Sequence, residues 1–316
     1  MPLHTDADGT RIAVFGAGAV GCYFGGMLAR AGLPVTLIGR PHHVEAIRTR
    51  GLFLDTLQFQ QSIPVAAATS PEAARDAAFV LFSVKSYDTE TAARALAPHL
   101  SPSAQLVSLQ NGVDNVVRIH AATGRHALPA VVYVAAAMAG PGHVQHSGQG
   151  RLVVGRLPEQ PAELESRAAQ LASLFQHAGV PCDLTENIQG ELWAKLVINC
   201  AGNAVSALTR ASYARAAAHE PTREVMRATA QEAIAVARAA GISLPAADLV
   251  EKGLQLAHSL GPATSSTEQD IARGKRTEID ALNGLIVRRG RELGVPTPVN
   301  HTLWALVKLL EASLLG

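Results

Sequence analysis

Two domains of different class are predicted. Residues 1–186 form an α/β N-terminal domain on a mixed, mostly parallel sheet, and residues 187–316 an all-α C-terminal domain. Three observations predict this. At 316 residues and 48% hydrophobic composition the chain can bury more than one core. Through the first half, strand-like apolar runs alternate with helix-like segments, the pattern of a parallel sheet covered by helices. After Val180-Pro181-Cys182-Asp183-Leu184 strand signals vanish, and from Glu186 onward long Ala/Leu/Glu/Arg-rich segments take over.

Arg11–Phe15 reads as the first strand, followed by a glycine turn, a helix over Ala19–Ala31 and a second strand, Pro34–Ile38. Phe79–Val84, Gln105–Leu109 and Leu128–Ala137 are further apolar strands. Leu52–Val65 reads as a hairpin excursion, and the Gly-punctuated alternation of His143–Val154 as two more antiparallel strands. In the second domain helices are expected over Ile188–Ala207, Pro221–Ala240, Ala246–Ser259, Glu278–Leu293 and Pro298–Leu314. Breaks fall at Gly241, Gly261-Pro262 and Gly294-Val295-Pro296.

Composition excludes several classes of function. The 27 Lys+Arg balance 26 Asp+Glu to a net charge of +1, which argues against a nucleic-acid binder or a polybasic membrane-surface protein. The longest apolar stretch, Val131–Ala139, is far short of the roughly 20 residues a membrane helix needs. The opening MPLHTDADGT lacks a basic region leading into an apolar one, so no secretory signal is read and a cytoplasmic location is expected. Cys22, Cys182 and Cys200 are odd in number and widely spaced, which suits a reducing compartment. No metal is expected, because the 12 histidines show no ligand spacing.

Chemistry concentrates in a few places. Gly16-Ala17-Gly18-Ala19-Val20-Gly21 is a G-x-G-x-x-G placed directly after the first strand and opening a helix. Gly16 permits the tight turn, Gly18 lets a pyrophosphate approach the backbone, and Gly21 allows close helix–strand packing. The end of the second strand distinguishes the dinucleotides. Where an NAD enzyme places a carboxylate for the ribose diol, this chain has Arg40, which points to NADP(H); the alternative is a surface arginine at a strand end. Lys85 and Asn111 follow the third and fourth strands at ends that face the ligand crevice of such sheets.

In the second domain Lys195, Asn199 and Asn203 recur every four positions and form one polar stripe along a helix that is otherwise apolar. Two amides one turn apart, with Gly202 between them, suggest a lined cleft; the alternative is a solvated stripe with Glu191 and Lys195 as an i,i+4 ion pair. A second concentration runs from Ser265 and Ser266 to Asp270 and on through Glu278 and Asp280. These two acids can equally be dipole-compensating residues of a helix first turn.

Taken in order, the glycine string, Lys85, Asn111-Gly112, E-L-W-A-K-L-V-I-N-C-A-G-N (Glu191–Asn203) and S-S-T-E-Q-D-I with T-E-I-D-A-L-N-G (Ser265–Ile271, Thr277–Gly284) resemble the ketopantoate reductase family (2-dehydropantoate 2-reductases) over nearly the whole chain. The resemblance implies an N-terminal Rossmann domain, a helical C-terminal domain and NADPH-dependent reduction of ketopantoate to pantoate. It implies that Lys195 is the catalytic lysine and Glu278 an active-site glutamate. Lys85 and Asn111 would lie on the cofactor side, with Asn111 also near substrate; Asn199 and Asn203 would bind substrate, and Ser266 would hold its carboxylate.

Two departures bear on which 2-keto acid is taken. Tyr213 stands where the family often has a third asparagine, and Ala263-Thr264 precedes the serine pair without one. A reductase of another branched 2-keto acid is therefore a second reading, and a nonenzymatic NADP-binding regulator a third, against which Lys195 and Glu278 speak. The expected partner is a small 2-keto acid, with neither nucleic acid nor membrane; a homodimer is left open.

Overall fold

The computed structural model describes residues 9–315, so the stretch through Asp8 on which the leader-signal reading rests lies outside the described residues. The chain divides into two compact units. One comprises the chain up to Gln110 together with Asp114–Ile188, the other Asn111–Val113 together with Gln189 onward.

The first unit opens with β1 (Ile12–Phe15), α1 (Ala19–Arg30), β2 (Val35–Ile38) and α2 (Pro41–Arg50). The antiparallel hairpin of β3 (Leu52–Asp55) and β4 (Gln60–Ile63) follows, then β5 (Ala66–Ala68), β6 (Phe79–Phe82), α3 (Thr89–Leu96), β7 (Gln105–Ser108) and α4 (Asn115–Thr123). β8 (Ala127–Gly140), β9 (His143–Val154), α5 (Leu164–His177) and β10 (Cys182–Leu184) complete it. All ten strands share one sheet in the order β4-β3-β9-β8-β7-β6-β1-β2-β5, with β10 on β9. β1 pairs in parallel with β2 on one side and β6 on the other, so the strand order reverses at β1. Such a switch point opens a crevice at the carboxyl ends of the strands, where β1 runs into the glycine loop. Phe79, Val80, Leu81 and Phe82 are all buried, as a strand covered on both faces requires.

His143–Val154 departs from expectation by being one 12-residue strand, antiparallel to β8, instead of two. The Gly/Ser signals at Ser147, Gly148 and Gly150 mark irregularities within the ladder. The register shifts between Tyr133 and Val134, opposite Gln149 and Gly150 with their positive φ of 57° and 107°. Gly150 is confined to glycine by space as well, since a Cβ there would fall 2.3 Å from the Tyr23 hydroxyl.

The second unit is helical among the described residues. α6 (Ile188–Thr209) begins in the first unit's last residue and continues into α7 (Tyr213–Ala218), α8 (Glu220–Ala239), α9 (Leu249–Ser259) and α10 (Ser266–Ala272). A 3₁₀ turn at Ile279–Ala281, α11 (Asn283–Leu293) and α12 (Pro298–Leu315) follow. The expected helix Glu278–Leu293 is thus a 3₁₀ turn and a shorter helix. The two short helices α7 and α10 escape periodicity because neither completes two turns. Each is started by a serine, Ser212 and Ser265, whose hydroxyl accepts a backbone N–H three residues on. Trp193, Leu196, Val197 and Cys200 of α6 form the centre of the second core with Ile234, Leu285, Ile286 and Val307.

Candidate active site

In the first unit the glycine loop is built by exclusion. Gly16 takes φ +112°, and a Cβ there would lie 2.7 Å from the Ser83 carbonyl carbon, so only glycine lets β1 turn this close to β6. The Gly16 and Ala17 N–H groups both donate to the Ile38 carbonyl at 3.0 Å, and the Ser83 hydroxyl donates to the Gly16 carbonyl at 2.8 Å. At Gly21 a Cβ would meet the Gly16 oxygen at 2.4 Å, which fixes how tightly α1 sits on the loop. Gly18 differs: it is exposed, has nothing within 4 Å of where a Cβ would stand, and caps α1 without any side-chain bond. An open glycine at an uncapped helix N-terminus fits a pyrophosphate, which needs backbone N–H donors and room to reach them.

Arg40 is exposed at the N-cap of α2, with Pro41 at the first helical position. Its neighbour Gly39 lies against the glycine loop, because a Cβ there would be 2.6 Å from the Ala17 Cβ. The arginine therefore leaves the sheet beside Ala17. Lys85 follows β6 at the start of a 3₁₀ turn, partly accessible, and its carbonyl accepts the Asp88 N–H at 2.9 Å.

Sequence reasoning missed Gln110. This buried amide donates to the Val84 carbonyl at 3.0 Å and the Thr89 hydroxyl at 2.9 Å, and accepts from Ser108 at 3.1 Å. It ties the end of β7 to the segment that follows β6, one residue before Lys85. The available signal was a long polar residue directly after a buried strand, which must find partners.

Lys195, Asn199 and Asn203 lie along α6 in the second unit. The Lys195 ammonium donates to the Asn111 side-chain oxygen at 3.0 Å, which brings the loop Asn111–Val113 onto this helix. Burial pulls Lys195 from the usual 10.5 down to about 8, against the opposing effect of the nearby Glu278 carboxylate, which favours the charged form. Asn199 is half-buried. Asn203 is buried, and its side-chain oxygen accepts the Tyr213 hydroxyl at 2.8 Å. Burial pushes the Tyr213 phenol upward, so it stays protonated and donates.

Glu278 is buried just ahead of the 3₁₀ turn, between residues that are themselves bonded to α12. The backbone N–H of Thr277 donates to Glu311, while Asp280 accepts from Trp304 Nε1 at 2.8 Å and Lys308 Nζ at 3.0 Å. Asn283 donates to the Cys200 carbonyl at 3.1 Å and to Asn300 at 3.0 Å. In the T-E-I-D-A-L-N-G string, then, Asp280 and Asn283 brace the turn. Ser266 stands exposed at the first position of α10, whereas Ser265 before it is buried and donates to the Asn203 carbonyl at 3.1 Å. Among the described residues no cluster of His, Cys, Asp and Glu could hold a metal ion, and no helix is long and apolar enough to cross a membrane.

Residues 12–159 match the model of the ketopantoate reductase PanE/ApbA family, and residues 187–311 match that of its C-terminal part. A 2-dehydropantoate 2-reductase of Archaeoglobus fulgidus is 34% identical over 304 residues, covering 96% of this chain and 99% of the relative; one of Pyrococcus horikoshii is 32% identical over 302. Among solved structures, a PanE/ApbA family ketopantoate reductase from Ralstonia eutropha JMP134 superposes with a TM-score of 0.90 at 48% identity, covering 97% of this chain and all of that one. A D-mandelate dehydrogenase solved with NADH and anilino(oxo)acetate gives a TM-score of 0.88 at 25% identity, over 96% of this chain and 99% of that one. With both halves matched in order and relatives similar from end to end, the chain belongs to the ketopantoate reductase family.

Proposed function

We propose that the protein is a 2-dehydropantoate 2-reductase that uses NADPH to reduce ketopantoate to pantoate, with residues 1–186 as the NADP-binding domain and 187–316 as the substrate domain. The observation that carries this reading is Lys195: an ammonium lowered to about 8 by burial, bonded to Asn111 and accompanied by the Glu278 carboxylate. When bound, the reduced nicotinamide supplies the hydride. The ammonium of Lys195 stabilises the negative oxygen that results at the ketone and gives it a proton, leaving a neutral amine that water recharges. Asn111 orients that ammonium. Glu278 favours its charged form, and Asn199 and Asn203 hold substrate oxygens without adding charge.

The glycine loop with open Gly18 takes the pyrophosphate, and Arg40 takes the 2′-phosphate, for which a guanidinium is suited by its paired N–H donors. Lys85 lies on the cofactor side and Ser266 serves the substrate carboxylate. Three free, buried thiols suit a reducing compartment, and the cytoplasm is the location this reading assigns. Tyr213 at the end of the stripe favours a second reading, a related 2-keto acid as the preferred substrate. Steady-state oxidation of NADPH against a panel of 2-keto acids tests both. Turnover with highest kcat/KM for ketopantoate is expected, a higher value for another 2-keto acid favours the second reading, and no turnover with any of them rejects both.

A further inference from the structure

The polar stripe of α6 ends at a residue whose orientation is set from outside the helix. Asn203 is buried, and a buried amide has two unlike ends: a carbonyl that only accepts and an NH₂ that only donates. Tyr213, the first residue of α7, presents its hydroxyl to the carbonyl end at 2.8 Å. The phenol ring packs closely on Gly202, where a Cβ would lie 2.8 Å from Tyr213 Cε1 and 3.1 Å from Cδ1. The Tyr213 backbone N–H donates to the Ala263 carbonyl at 3.0 Å. The Asn203 backbone is held by Ser265, whose hydroxyl donates to its carbonyl. Tyr213 thus engages the oxygen of the Asn203 amide, and Ser265 holds the backbone that carries it.

We infer that Tyr213 is a specificity-determining positioning residue, which locks the Asn203 amide with its oxygen turned away from the substrate and its NH₂ presented to a substrate oxygen. This rests on the 2-keto acid reductase reading above. An amide locked as a donor selects for an oxygen at that end of the substrate and against an apolar group, which would leave the donors unpaired. A free amide could turn its carbonyl around and lose the preference. Asn203 lies eight residues beyond Lys195, about 12 Å along the helix. The oxygen it receives is therefore another one than the reacting ketone oxygen.

The test is a double-mutant cycle read as KM and kcat for ketopantoate, with NADPH affinity from fluorescence titration and thermal midpoints alongside. Tyr213→Phe keeps the ring against Gly202 and removes only the hydroxyl. It is expected to raise KM about tenfold, the scale of one lost orienting hydrogen bond, while kcat and NADPH affinity change less than about threefold. In an Asn203→Ala background the same change is expected to leave KM within about twofold, because no amide remains to be positioned. Asn203→Asp, which retains an acceptor for Tyr213 and loses the donors, is expected to raise KM at least as much as Tyr213→Phe. An unchanged KM in Tyr213→Phe, an equal loss in both backgrounds, or a wild-type KM in Asn203→Asp overturns the inference. If Tyr213→Phe does not fold, Asn203→Asp decides alone. Wild-type enzyme that reduces no 2-keto acid overturns instead the functional reading on which the inference rests.

Discussion

A lysine that gives up a proton at neutral pH must hold it less tightly than a lysine in water, and Lys195 is brought to that state by burial on α6. Lys195→Ala is expected to lower kcat by about 10²-fold or more while NADPH affinity stays within about twofold; kcat within a few-fold of wild type would move the proton donor elsewhere. The proposed role of Lys195 as proton donor requires its charged form, so kcat is expected to fall as pH rises through about 8. The Glu278 charge supports the ammonium, so Glu278→Gln should shift that alkaline limb to lower pH. A limb that stays put or moves up would separate the two residues. Arg40→Asp is expected to weaken NADPH far more than NADH, since a carboxylate repels a 2′-phosphate and accepts from a ribose diol. Equal losses for both cofactors in titration would make Arg40 a surface residue only.

At the scale of elements, close approach is bought with missing side chains. α1 carries three glycines, of which Gly21 and Gly25 face β1: a Cβ at Gly25 would lie 2.7 Å from Val14 Cγ2 and 2.8 Å from Leu37 Cδ2. Helix propensity argues against such glycines at about 1 kcal/mol each, so packing outweighs it here. Gly21→Ala pushes against the Gly16 carbonyl, a backbone atom that cannot yield without opening the loop. It is expected to cost about 1–3 kcal/mol in thermal or denaturant unfolding and to weaken NADPH at least tenfold. Wild-type values in both measurements would mean that the loop is more yielding than its contacts indicate. The turn carrying Glu278 is held by a different device, the ion network of Asp280, Lys308 and Glu311, in which Glu311 is buried and Lys308 bridges the two carboxylates.

For the molecule as a whole, each unit has its own core, and the three thiols are divided between them. Cys22 and Cys182 belong to the first core and Cys200 to the second. All are buried, and burial holds Cys22 and Cys182 up at about 12 and raises Cys200 likewise. A thiol that is neither ionised nor accessible does not react. The native protein is therefore expected to show almost no reaction with a disulfide reagent such as Ellman's, and three thiols per chain once unfolded. A fast-reacting thiol in the native protein would contradict this burial.

Local periodicity and composition determined the α/β class of the first half, the helical class of the second, the strand–glycine–helix start and the four-residue stripe of α6. Each of these is a property of neighbours along the chain, which burial on one face or two imposes directly. The short helices α7 and α10, the single bulged strand β9 and the division of Glu278–Leu293 were not legible. They depend on a serine cap, on the positive φ of Gln149 and Gly150 where the ladder shifts register, and on partners supplied by α12. In the site, the residue types on α6 were visible, but their partners were not. That Asn111 meets Lys195 across 84 positions and that Tyr213 takes the carbonyl of Asn203 are long-range pairings. A buried polar group must find a partner, and only the tertiary structure decides which one it finds.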